Sequence, residues 1–227
     1  MAIATVEDGF LKLADEPGEV WATEEGAPFP GAVCRWLDGG GLELSDGGTW
    51  MVFFESGRCL VELPNGRSFM MAPGMYAMIP GAARMKGGSG LAVVLDEFDG
   101  LFTIGGPVEE TGRLKYIDGC TDTLLIAPIK MGDPCLNLLH IPPRTAQSAH
   151  THPSYRVGLI LSGTGKCVTP NGETDLYPGV SFVIPEGSEH SFHTDGEALR
   201  VLAYHPDSDF GPTDEVHPMR NGTHLKK

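Results

Sequence analysis

The chain repeats itself, and that constrains its fold more than any other feature. Residues 56–80 read SGRCLVELPNGRSFMMAPGMYAMIP, and residues 162–185 read SGTGKCVTPNGETDLYPGVSFVIP. Both carry SG, PNG, PG and IP in that order. The offset is 106 residues at SG and PNG and 105 at PG and IP, a slip of one. Four ordered landmarks mark a duplicated unit, and a duplicated unit decides the architecture. Asn-Gly tolerates the positive φ of a tight hairpin turn. Pro-Gly marks a second turn, and a proline after YAMI or SFVI ends a strand because it has no N–H to give a ladder. The flanks (RCLVEL, RSFMM, KCVT, ETDLY) have the length and residue types of short strands. Each copy closes on an apolar strand, LAVVL at 91–95 and ALRVLAYH at 198–205. No long amphipathic helix is evident, and 31 glycines with 18 prolines suit many turns. Evenly spaced short strands of this kind predict sandwiches or barrels. The first thirty residues and the last twenty read as irregular arms, and 97–120 as the connector between the copies.

With 227 residues, 41% of them hydrophobic and 20% charged, the chain can bury a real core. A net charge of −14 repels phosphate backbones, which argues against a nucleic-acid partner. No apolar run approaches the roughly 20 residues of a membrane span. The start, MAIATVEDGFLKLADEPG, lacks the basic and apolar regions of a leader. Five scattered cysteines form no CxxC pair. Reduced thiols in a cytoplasmic protein are therefore expected.

Residues 150–163, HTHPSYRVGLILSG, place two histidines one residue apart before an apolar run. Alternate residues of a strand share a face, so His150 and His152 would look the same way. His190 would arrive from a second strand, after the turn in GVSFVIPEGSEH. Here the chain resembles the cupin superfamily. His150, His152 and the closing Gly163 match its first motif, and Gly179, Pro185, Gly187 and His190 its second. Two departures stand out: Arg156 occupies the place of the usual glutamate, and Thr194 that of the usual asparagine. The resemblance covers about 130–205 directly and the first half through the repeat.

The resemblance implies an all-β bicupin, two double-stranded β-helix (jelly-roll) barrels. Residues 1–110 would form a barrel without ligands, and 111–227 a barrel with the metal site and a C-terminal arm. By the repeat offset, Leu44, Asp46 and Met85 stand in the first copy where the second has His150, His152 and His190. Three imidazoles would hold a divalent transition metal, iron(II) first, with zinc, nickel, manganese and copper as alternatives. His193 and His205 are further ligand candidates, and Glu189 a partner for an imidazole. A guanidinium about 6 Å from a dication is repelled by roughly 5 kcal/mol at an effective dielectric near 20. Arg156 therefore either grips an anion beside the metal, or is turned away by Pro153 toward solvent or an acidic partner. Tyr155 is a candidate catalytic acid or wall residue. The implied activity is a three-histidine iron(II) dioxygenase acting on a small anionic metabolite. The alternatives are an oxygen-independent lyase or isomerase and a non-enzymatic binding or sensing module. A homodimer is one expectation for the assembly.

Overall fold

The structure is a computed structural model and describes residues 9–220 and 222–224; part of the N-terminal stretch read above as lacking a leader, residues 1–8, lies outside them. Its twenty described strands pair antiparallel, and no α-helix occurs among the described residues. Among the described residues no helix is long and apolar enough to cross a membrane.

The strands form two large sheets and two small ones. In the first barrel the large sheet runs Thr103–Gly105, Tyr76–Pro80, Gly48–Ser56, Ser89–Asp96, Gly31–Trp36, Gly18–Ala22. Its small sheet runs Gly41–Leu44, Ala83–Lys86, Cys59–Glu62, Ser68–Met71. In the second barrel the large sheet runs Leu11–Lys12, Ser181–Ile184, Arg156–Ser162, Leu199–His205, Cys135–Ile141, Thr121–Ile126, Leu114–Lys115. Its small sheet runs Gly172–Leu176, Gly165–Thr169, Ser191–His193.

The repeat landmarks are the corners of this framework. Gly57 and Gly163, the glycines of the two SG pairs, have φ of +65° and +81°. A Cβ on Gly163 would also lie 1.8 Å from the Ala198 carbonyl oxygen, so only glycine fits there. The Pro-Gly turns place Gly74 and Gly179 at φ +80° and +89°, as a turn with glycine third requires. The hairpins differ. Asn65-Gly66 sits in a longer loop, where Leu63 N–H bonds Arg67 O at 2.8 Å. In the second copy Thr169 already pairs with Gly172, so Pro170-Asn171 forms the two-residue turn and Gly172 opens the return strand.

Both faces of each large sheet are buried, and the period-two alternation sorts them. Trp50, Val52 and Phe54 point into the first barrel, while Met51 and Phe53 point out of it. Phe182 and Ile184 point into the second barrel and Val183 out. The outward residues of both sheets meet in one shared core, with Val33, Leu91 and Val93 against Val157, Leu159 and Leu202. Apolar side chains on both faces explain why these strands read as nearly continuous hydrophobic runs.

The first thirty residues are not the irregular arm that their sequence suggests. Leu11 pairs with Val183 of the second barrel, and Gly18–Ala22 adds an edge strand to the first. A bulge between Glu19 and Trp21 breaks the alternation that would have marked that strand. Trp21 then packs on Tyr155 with ring centroids 5.1 Å apart.

Candidate metal centre

The second barrel keeps a cavity of about 290 Å³. His150, His152, His190, His205 and Arg156 line it, above apolar walls that include Leu139, Phe182 and Val201. His150 and His190 face each other across an isolated bridge, with reciprocal backbone hydrogen bonds of 3.0 Å. His152 follows one pleat later, and its carbonyl accepts from Gly187 N–H at 2.9 Å. The glycine of the second motif thus ties the two histidine segments together. Ring centroids lie 4.5 Å apart for His150 and His190, 5.0 Å for His150 and His152, and 5.1 Å for His152 and His190. One ligand nitrogen from each of the three lies within 4.8 Å of the others.

The tautomers suit a cation. His150 Nδ1 is 2.9 Å from Ser148 O, and His190 Nδ1 is 3.0 Å from Ser188 O. A carbonyl only accepts, so each Nδ1 carries a proton, and in the neutral ring it is Nε2 that offers the lone pair. Burial, with Arg156 nearby, pushes His152 down to about 3. Burial pushes His190 down to about 4. Both rings are neutral at pH 7, as a ligand must be. Asp118 fixes this arrangement from outside: Ser148 N–H donates to Asp118 Oδ2 at 2.6 Å while Ser148 O holds the His150 ring. No spacing in the sequence marked Asp118, because it reaches the site from the connector.

Arg156 faces the cavity and at the same time pairs with an acidic residue. The strand begins at Arg156 itself, so Pro153 does interrupt the pleat, yet the side chain lines the cavity and is buried. Nη1 donates to Tyr155 O at 3.0 Å and Ser154 O at 3.2 Å, to Ser154 Oγ, and to Asp207 Oδ1 at 3.4 Å. Nε is buried without a partner. Asp207 begins the acidic stretch after the last strand, DSDFGPTDE, and is held by Ser154 Oγ and Arg156.

Other candidates are placed elsewhere. Tyr155 lies in the core between the barrels, packed on Trp21, and does not line the cavity. Its neighbour Arg156 faces in, so alternation sends Tyr155 out. His193 turns away from the cavity-lining Phe192 and bonds Ser191 Oγ at 3.0 Å. His205 lines the cavity with its ring 6.2 Å from His152, and burial holds it well below its usual range. Glu189 is exposed. Cys167 is buried in the barrel core, its thiol pushed up to about 12, and is inert. Thr194 donates to Pro142 O at 2.5 Å and accepts from Thr145 N–H at 3.1 Å, pinning a loop as an asparagine could. Asp122 and Asn137 also line the cavity, and sequence reasoning missed both.

Strand pairing corrects one equivalence. Cys167 pairs with Phe192 as Val61 pairs with Met85, so His190 corresponds to Ala83 rather than to Met85. The loop before His190 is two residues longer than its counterpart, which shifts the simple offset.

Residues 137–205 match the Cupin domain family model. Solved structures share the fold over most of the chain. A candidate glyoxylate-induced protein from Pseudomonas aeruginosa is 14% identical, covers 94% of each chain and has a TM-score of 0.65. Salicylate 1,2-dioxygenase from Pseudaminobacter salicylatoxidans is 11% identical over 83% of this chain and 75% of its own, TM-score 0.62. Oxalate decarboxylase from Bacillus subtilis is 13% identical over 92% and 79%, TM-score 0.54. No curated protein sequence matches significantly. Identities this low speak for the fold alone. The C-terminal barrel is a cupin domain, and the chain as a whole has the two-barrel fold of the bicupins.

Proposed function

We propose that this protein is a metal-dependent enzyme whose ion is held by His150, His152 and His190, and that it acts on a small carboxylate. The observation that carries the reading is the set of three imidazoles within reach of one ion, two of them with Nδ1 locked onto a carbonyl. Three neutral nitrogens leave a divalent ion's charge uncompensated, and Arg156 adds more positive charge to the same cavity. An anion is the natural complement. Nitrogen ligands without a carboxylate suit iron(II) as well as zinc, nickel or copper. Iron is favoured because a ferrous ion supplies the one-electron chemistry by which organic molecules react with dioxygen. Within the chain, Arg156 orients the substrate's carboxylate, and the apolar walls exclude water. Salicylate 1,2-dioxygenase shows that the fold hosts oxygen chemistry.

Elemental analysis of purified protein tests the site first, and about one equivalent of transition metal is expected. Iron-loaded protein is then screened for oxygen uptake with small carboxylates. Product without oxygen uptake would replace the dioxygenase with a lyase or isomerase, and binding without product would leave a sensor. Arg156→Gln should retain the metal and weaken carboxylate binding about tenfold or more. Unchanged affinity in that variant would remove Arg156 from the site.

A further inference from the structure

The cavity holds acceptors that the metal centre does not use. Asp122, on Thr121–Ile126, and Asn137, on Cys135–Ile141, both face into it. Asp122 is opposite Leu139 in the ladder, so Asn137 is its diagonal neighbour on the adjoining strand. Asn137 Oδ1 is buried without a hydrogen-bond partner. Among the described residues none donates a hydrogen bond to Asp122, and burial alone pushes its carboxyl up to about 6. A half-buried carboxylate and a buried, unpartnered amide oxygen thus face the same cavity. A buried acceptor is normally satisfied, and leaving Asn137 Oδ1 bare costs free energy.

Arg156 sits at the other side of the same space. Three strand steps separate its strand from that of Asp122, at about 4.8 Å each around the wall. Tyr116 also lines the cavity, close enough to feel both charges. The wall between them is apolar, with Leu139, Val201 and Ala203.

We infer that the ligand of this cavity is bifunctional, a small carboxylate that also carries a hydrogen-bond-donating group, an amine or a hydroxyl, several bonds away and seated on Asp122 and Asn137. The inference rests on the proposed carboxylate site at Arg156 and adds a second recognition point to it. The carboxylate of such a ligand meets Arg156, its methylene body lies on the apolar wall, and its donor bonds the Asp122 carboxylate and Asn137 Oδ1. An amine fits best, because it would also neutralise Asp122.

Calorimetric titration with matched acids tests this. The probes are δ-aminovalerate, δ-hydroxyvalerate and hexanoate, together with the sets one methylene shorter and one longer. In at least one set, a donor-bearing acid should bind about tenfold or more tightly than its methyl counterpart. In the Asp122→Asn, Asn137→Leu double variant the preference should fall below about twofold, with thermal melts confirming that the variant folds. Equal binding of donor and methyl acids in every set, no binding at all, or a preference that survives in the double variant overturns the inference. Each titration is run on metal-free and metal-loaded protein. A donor preference in protein that takes up no metal would sink the metal reading and leave this one standing. Metal uptake and turnover of simple carboxylates without donor preference would do the reverse.

Discussion

The two barrels share one framework and differ in what fills it. In the first, Trp36, Trp50, Phe54, Ile79, Met71 and Met85 pack the interior as a continuous apolar core. In the second, the corresponding space holds four histidines, an arginine and a cavity. Matched ladders set the residues against each other: Leu44 for His150, Ala83 for His190, Trp50 for Arg156, Val94 for His205. Each exchange replaces a polar group with an apolar one. The difference teaches that the framework does not need a site. Turn glycines and alternating strands specify the barrel, while a handful of interior positions decides between a packed core and a polar cavity.

The largest effect is expected where the second barrel is made to copy the first. His190→Ala installs the first barrel's residue. Removing one of three ligands should drop bound metal from about one equivalent to background, a loss of at least about a hundredfold in affinity. Elemental analysis after dialysis reads it, and full metal retention would break the comparison. The barrel should still fold, since Ala83 occupies that place in the first barrel without harm.

The opposite manipulation empties the filled barrel. Trp50 is 4% exposed, and its indole N–H donates to Ser45 O at 3.1 Å. Trp50→Ala should cost about 3–5 kcal/mol, as large-to-small changes in packed cores do. Denaturant titration measures it, and metal content should not change. A cost below about 1 kcal/mol would mean that the first barrel also tolerates an open interior.

Much of this contrast was legible in the sequence, for a physical reason. The repeat survives at turns because turns need particular backbones: Gly57, Gly74, Gly163 and Gly179 all sit at positive φ. The histidines were legible because a period of two and a turn-borne third residue bring ligands together. What stayed hidden depends on partners distant in sequence. Tyr155 looked like a site residue until the back-to-back packing of the barrels claimed its face. Asp207 lies in no motif, and only the path of the chain after the last strand brings it to Arg156. Asp122 and Asn137 lie on strands with no motif, and only closure of the sheet turns them toward the histidines.

The smallest effect sharpens what separates a chamber from a core. A folded-state carboxyl raised from 3.8 to about 6 holds its proton where the unfolded chain has lost it. Stability therefore falls as pH rises from near 4 through about 6, and the full penalty is present at pH 7. Asp122 is only partly shielded, so solvent screening reduces the penalty to the order of 1 kcal/mol. Asp122→Asn should raise the ligand-free protein's stability by about that much at pH 7.5, and the gain should vanish near pH 4. Parallel chemical denaturation at the two pH values measures it. The first barrel lines its interior with apolar groups and carries no such cost. A variant that gains stability while losing grip on amine-bearing acids would show Asp122 retained for its ligand at the fold's expense. Equal stability of variant and wild type at both pH values would instead place Asp122 in contact with water, and the second barrel's polar wall would then cost the fold nothing.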